Sequence, residues 1–107
     1  MFDGGLEVLS KDSDVAPLDA ATIAFPLIIR QVQTGDRFYP FGMNGSKLVS
    51  DFLTDRKLNL LEKRRQLVVT DASGTILWLV GLRTDHRYRV TSSTTRILRL
   101  TRLSENG

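Results

Sequence analysis

The chain has no cysteine and a single histidine, His86, among its 107 residues. Without cysteine there is no disulfide framework and no thiolate for a metal or a redox step. With one imidazole, a metal centre would need carboxylates alone, and no Asp/Glu cluster has the spacing for it. A serine nucleophile would have to take His86 as its base, and no G-x-S-x-G elbow is present. His86 sits between Asp85 and Arg87 and reads as a surface or loop histidine. No catalytic residue and no metal ligand is therefore expected. No apolar run approaches the roughly 18–20 residues that cross a bilayer. The longest one, Ile76 to Leu82, suits a buried strand. The N-terminus lacks a basic stretch followed by an apolar core, so no secretory signal is expected. These absences suit a cytoplasmic chain with no membrane contact.

What is present is the composition of one globular domain, 41% hydrophobic and 25% charged. The net charge of +3 is unevenly placed: residues 1–29 carry one base against five acids, and residues 30–107 carry fourteen bases against seven acids. Eleven of the fifteen bases are arginine. Arginine offers a planar fork that matches phosphate, which lysine lacks. A basic body with this bias points to a polyanion partner, with a merely solvated surface as the alternative.

Residues 1–22 read as a lead-in, 23–103 as the domain and 104–107 as a tail. Within the lead-in, Leu6 to Leu9 could be a short strand, and Lys11 to Asp19, polar and holding Pro17, reads as a loop. Residues 26–33 read as a strand, Thr34-Gly35-Asp36 as a turn, and Arg37 to Phe41 as extended. Ser46 is a candidate N-cap for an amphipathic helix over about 46–56, with Leu48, Val49, Phe52 and Leu53 on one side. Asn59 is a candidate cap for a second short helix, with Glu62 three residues on and Lys63, Arg64 and Arg65 in its last turn. Leu67 to Thr70 and Ile76 to Val80 read as a hairpin around Asp71-Ala72-Ser73-Gly74, its second strand apolar on both faces and so central. Alternation over 87–91 predicts a further strand, and Ile97 to Thr101 a last one. Five or six strands flanking one or two helices make an α+β domain, not a βαβ repeat.

Three constellations could carry function. Gly42-Met43-Asn44-Gly45-Ser46-Lys47 is too short for an ATP-binding P-loop and has its Ser and Lys in the wrong order. It also matches the GXXG of KH domains, but the aromatic, proline-containing segment before it does not suit that fold. On the expected helix start, Lys47 could attract a phosphate or pair with Asp51 one turn on. Arg37-Phe38-Tyr39-Pro40-Phe41 could stack on bases, although Phe38 and Phe41 are more readily read as core, leaving Tyr39 open. The basic set Arg56, Lys57, Lys63, Arg64, Arg65, Arg83, Arg87 and Arg89 has few acids beside it: Asp55, Glu62 and Asp85.

The ordered motifs then resemble a known family. The runs GDRFYPFGMNGSKLVSDFLTDRKL, TDASGTILWLVGLRTDHRYRVT and TTRILRL are similar to the C-terminal domain of bacterial tRNA(Ile)-lysidine synthetases, over roughly residues 24–101. The resemblance implies a layered α+β domain with a β-sandwich of unusual topology, shared with the substrate-binding domain of the phenylalanyl-tRNA synthetase β subunit, with one or two helices inserted mid-chain. It implies a parent ligase that uses ATP and Mg2+ to join lysine to C2 of the wobble cytidine of tRNA(Ile) with a CAU anticodon. That chemistry belongs to an N-terminal catalytic domain with an S-G-G-x-D-S loop, which this sequence lacks, so this chain needs no cofactor of its own. The implied task is to grip the acceptor stem or body of the tRNA. Carried onto this chain, Arg37, Lys47, Lys57 and Arg83 occupy family-typical basic positions. Arg64, Arg65, Arg87 and Arg89 join them as candidate RNA contacts, Gly42 and Gly45 shape the loop, and Phe38, Phe52 and Trp78 belong to the core. One departure is Arg65-Gln66, where the family often has a proline before the next strand. The alternative role is a protein-interaction domain of the same enzyme, such as a homodimer contact.

Overall fold

The apolar runs become strands wherever a partner strand lies within reach. The computed structural model describes residues 13–103. Along them run β1 (Val15–Asp19), β2 (Ile28–Gln31), β3 (Arg37–Phe38), β4 (Lys47–Leu48), α1 (Val49–Asp55), α2 (Leu60–Arg65), β5 (Leu67–Thr70), β6 (Ile76–Leu79), β7 (Arg83–Thr84), a 3-10 turn at His86–Tyr88, and β8 (Ile97–Thr101). All pairings are antiparallel. They form one four-stranded sheet ordered β2-β5-β6-β7 and two ribbons, β1-β8 and β3-β4. The outcome is the layered α+β class.

β6 is buried along its whole length because both faces of its sheet are covered. One face packs with Ala16, Leu18, Ala20 and Ile23 of the β1 side. The other packs with Phe38 and with Val49, Phe52 and Leu53 of α1. A bulge serves both layers. Val69 opposes Trp78, but Thr70 opposes Ile76, so Leu77 is the extra residue. Leu77 and Trp78 both join the first core, while Ile76 and Leu79 both join the second. Strict alternation would have put Ile76 and Trp78 on one face.

The two helices are held differently. α1 buries Val49, Phe52 and Leu53, an i, i+3, i+4 stripe. α2 buries nothing and depends on its ends. Asn59 Oδ1 accepts from the Glu62 N–H at 2.8 Å, and Glu62 Oε1 accepts from the Asn59 N–H at 2.8 Å, which is a complete capping box. After α2, the Gln66 amide donates to the carbonyls of Leu67 and Val80, each at 2.9 Å. That clamp fastens the start of β5 to the end of β6.

Several expectations are corrected. Val15–Asp19 is a strand, not a loop: it pairs with β8 over five residues and buries Val15, Ala16 and Leu18. Proline is tolerated there because, among the described residues, β1 has a partner on one side only. Residues from 15 onward are thus part of the packed body, whereas the strand expected at Leu6 to Leu9 lies outside the described residues. Ser46 does not cap α1. Lys47 and Leu48 pair with Phe38 and Arg37, the helix starts at Val49, and its N-cap Leu48 makes no side-chain cap bond. The Val49 N–H finds its acceptor across the ribbon, at Asp36 O, 2.8 Å away. The strand expected over 87–91 is absent: His86–Tyr88 is a 3-10 turn, because the Asp85 side chain accepts from the Arg87 N–H and starts a helical turn.

Candidate nucleic-acid interface

The site is built on a carboxylate. Asp85 is fully buried, with two bonds from backbone and two from a guanidinium. Tyr39 N–H donates to its Oδ2 at 2.9 Å, and Arg87 N–H donates to its Oδ1 at 2.8 Å. Arg87 adds a two-pronged pair, Nε to Oδ1 and Nη2 to Oδ2, both at 3.0 Å. Four donors on one acceptor-only group leave no room for a neutral substitute. The effect is to bring two distant stretches, 39–43 and 83–87, side by side.

Further bonds follow that alignment. Phe41 N–H donates to Thr84 O at 2.9 Å, Arg83 Nη1 donates to Phe41 O at 3.2 Å, and Gly42 N–H donates to His86 Nδ1 at 3.3 Å. His86 is thus a structural acceptor, with the Phe41 ring 5.8 Å from its own. Gly42 and Gly45 have φ of +84° and +79°, a region that side-chain-bearing residues seldom adopt. The loop that they shape leaves Tyr39, Phe41 and Met43 exposed. Phe41 departs from its expected place in the core: its backbone pairs with Thr84, while its ring lies exposed beside His86. Phe38, Phe52 and Trp78 are buried as expected.

The cations fall into groups. The Arg87 guanidinium lies 4.2 Å from the Tyr39 ring centroid. Its hydrogen bond to Asp85 raises its pKa further, against the opposing effect of burial. Arg83 is half-buried, and burial, then the charge of Arg56, lowers its pKa. Arg89 Nη1 donates to His86 O at 2.9 Å. Arg37 on β3 reaches Ser46 Oγ with Nε and Nη2 at 3.3 and 3.2 Å, so Ser46 anchors an arginine where it was expected to cap a helix. Lys47 pairs with Asp55, not with Asp51, because it lies on a strand and not in the first turn of α1. Lys57 follows α1 with φ +64° and is exposed. Arg64 and Arg65 are exposed on α2, and no hydrogen bond or ion pair among the described residues ties them to the Asp85 cluster. Of the eight candidate RNA contacts, only Lys47 and Arg87 form ion pairs with described carboxylates.

Sequence reasoning did not bet on Arg56, although it noted the residue in the basic set. Its signal is hidden, because its neighbour Arg83 is remote in sequence. Among the described residues no group of three or more His, Cys, Asp or Glu side chains could hold a metal ion. No described helix is long and apolar enough to cross a membrane. What the arrangement can do is present guanidinium forks and exposed aromatic faces to a phosphate-bearing polymer.

Residues 27–101 match the family model described as TilS substrate C-terminal domain. The tRNA(Ile)-lysidine synthase of Parabacteroides distasonis is 41% identical over 90 residues, which is 84% of this chain and 20% of that protein. The enzyme of the same name from Bacillus subtilis is 51% identical over 61 residues, 57% of this chain and 13% of that one. The chain thus spans about a fifth or less of the length of these relatives. Among solved structures, one described as the crystal structure of a TilS C-terminal domain superposes with a TM-score of 0.71 at 25% identity, covering 89% of this chain and 75% of that one. An N-terminal fragment of the phenylalanyl-tRNA synthetase β subunit from Pyrococcus horikoshii gives a TM-score of 0.68 at 16% identity, covering 79% of this chain and 26% of that one, a likeness of fold alone.

Proposed function

This chain belongs to the family of TilS substrate C-terminal domains, and from that premise we propose that it holds the tRNA on which a lysidine-forming ligase acts. The supporting observation is the alignment of 39–43 with 83–87 by Asp85, which ties in Arg87 directly, Arg83 through Phe41 O and Arg89 through His86 O, and leaves Tyr39 and Phe41 exposed. The only described carboxylate built into that alignment is itself buried and already paired. The substrate is tRNA(Ile) with a CAU anticodon, and lysine is joined to its wobble cytidine by an ATP- and Mg2+-dependent catalytic domain outside this sequence. The contribution of this chain is positional. It contacts the phosphates and 2′-hydroxyls of the acceptor stem or body, because an A-form helix hides the base edges of its major groove. Tyr39 and Phe41 offer stacking for a base that leaves the stem.

A salt titration tests this. The 107-residue chain should bind a tRNA(Ile) transcript with an affinity that falls as a power of salt concentration. An Arg37→Ala/Arg89→Ala variant should bind more weakly, with a log–log slope shallower by roughly 1.4–1.8, two contacts at about 0.7–0.9 each. A folded chain that binds no tRNA at low salt would sink the proposal.

A second reading has its own observation. Phe25, Ile28 and Ile29 are 54%, 46% and 67% exposed on or beside β2, an edge strand among the described residues, and Leu60 and Leu61 of α2 are also exposed. Such surface suits contact with another protein or a second copy of the chain. Sedimentation at rising concentration distinguishes the readings: a salt-insensitive dimer that binds no tRNA favours this one.

A further inference from the structure

We propose that Arg56 and Arg83 form one phosphate-binding site over the Phe52 ring, an inference that rests on the tRNA-binding reading for its source of phosphate but not for its chemistry. Both guanidinium carbons lie 5.4 Å from the centroid of that single ring. Phe52 is only 4% exposed, and the Phe38 ring packs edge-on against it with a centroid distance of 5.3 Å. The ring is therefore a fixed platform, and the two cations approach it from different elements, the end of α1 and β7, near enough for the charge of Arg56 to act on Arg83.

Among the described residues no carboxylate compensates the two charges. Neither arginine forms an ion pair with a described carboxylate: Asp55, the acid nearest Arg56 in sequence, is taken by Lys47. Arg83 uses one fork nitrogen on the Phe41 carbonyl, and no side-chain hydrogen bond holds Arg56 among the described residues. One cation suffices to cap an aromatic face; a second adds repulsion. Burial first, and then the charge of Arg56, lowers the Arg83 pKa, and the second of these is that repulsion seen from one partner. An oxyanion seated between the two forks removes it and satisfies the open N–H groups, and guanidinium geometry favours phosphate oxygens for this. The two carriers of such a group are an RNA phosphodiester and free phosphate. The exposed aromatic loop beside Arg83 favours the RNA.

The experiment follows the side-chain Nε–Hε signals of the intact 107-residue chain by NMR. Inorganic phosphate is titrated at constant ionic strength against chloride, and tRNA(Ile) binding is measured in parallel. The Arg56 and Arg83 signals should move together and saturate with phosphate, but not with chloride. In Arg56→Gln, an exposed substitution that leaves the core intact, the Arg83 response should be lost. On tRNA, Arg56→Gln, Arg83→Gln and the double variant should each lower the salt slope by about 0.7–0.9, one shared phosphate rather than two. Should Arg83→Gln lose its fold, Arg56→Gln alone decides. Absence of any joint phosphate response, with Arg56→Gln binding tRNA at an unchanged slope, overturns the site while leaving the tRNA reading intact. A joint phosphate response in a chain that binds no tRNA upholds the site, assigns it to free phosphate, and overturns the tRNA reading instead.

Discussion

Replacing Asp85 with alanine removes one carboxylate and strands four donors. The Tyr39 N–H at 2.9 Å and the Arg87 N–H at 2.8 Å lose their acceptor inside the protein, and the two guanidinium contacts at 3.0 Å disappear with them. Breaking a buried ion pair by removing one member costs about 3–5 kcal/mol when the survivor stays dry. Here the Arg87 side chain is 45% exposed and can turn to water, so only part of that applies. An unsatisfied buried N–H costs about 1–3 kcal/mol. Together these give a loss of about 3 kcal/mol, out of the roughly 5–15 kcal/mol that holds such a domain folded. The variant should fold and melt about 12–24 °C lower, at about 4–8 °C per kcal/mol for a domain of this size. Urea titration should show a lower midpoint with an unchanged slope. Asp85→Asn should lose nearly as much, because its NH2 group would face donors. Both variants should also weaken tRNA binding, since Tyr39 and Arg87 lose their common anchor. A loss below about 1 kcal/mol for alanine, or a neutral asparagine, would refute the assignment of Asp85 as the organiser of this face.

Four other outcomes follow from the same geometry. Asn59→Ala removes the capping box of a helix that buries nothing, and should cost about 1 kcal/mol by urea titration, with α2 amides exchanging faster. Trp78→Ala, in a core covered on both sides, should cost about 3–5 kcal/mol. Gly42→Ala meets no atom within 4 Å, so its loss of about 1–2 kcal/mol comes from the backbone at φ +84° alone. Acid should destabilise the fold through Asp36 and Asp71: burial raises the pKa of each, but Arg30 for the first and Ser73, Ala24 and Thr75 for the second more than reverse it. Their folded pKa values lie below the unfolded ones, so the stability they supply is full above about pH 5 and is lost as pH falls through the unfolded value near 3.9 toward the folded ones. A melting temperature that stays flat from pH 6 to about pH 2 would contradict this.

Local chemistry was legible without coordinates. The Asn59–Glu62 box and the hairpin turn at Asp71–Gly74 act over two to four residues, so their side chains name the structure by themselves. The apolar stripe of α1 and the doubly buried β6 follow from spacing and from the absence of polar residues. The ordered motifs pointed to the family that residues 27–101 match. The candidate site was legible only as separate stretches: Arg37–Phe41, the glycine loop, and Arg83–Arg89.

Tertiary structure decided the rest, in each case because the partner is far along the chain. Val15–Asp19 looked like a loop because its pairing partner, Ile97–Thr101, lies at the other end of the domain. Ser46 had the chemistry of a helix cap but was claimed by Arg37, while Lys47 was drawn into a strand by Phe38. Alternation over 87–91 suggested a strand until one buried carboxylate bent it into a turn. Phe41 had the hydrophobicity of a core residue, yet its backbone pairs with Thr84 and its ring stays at the surface. Residue type and spacing determined which cations and aromatic side chains this protein has. Only the fold determined that Arg56 and Arg83 share a ring and that Tyr39 and Arg87 share an acid, because convergence of that kind depends on strand order and register, which are set by packing across the whole domain.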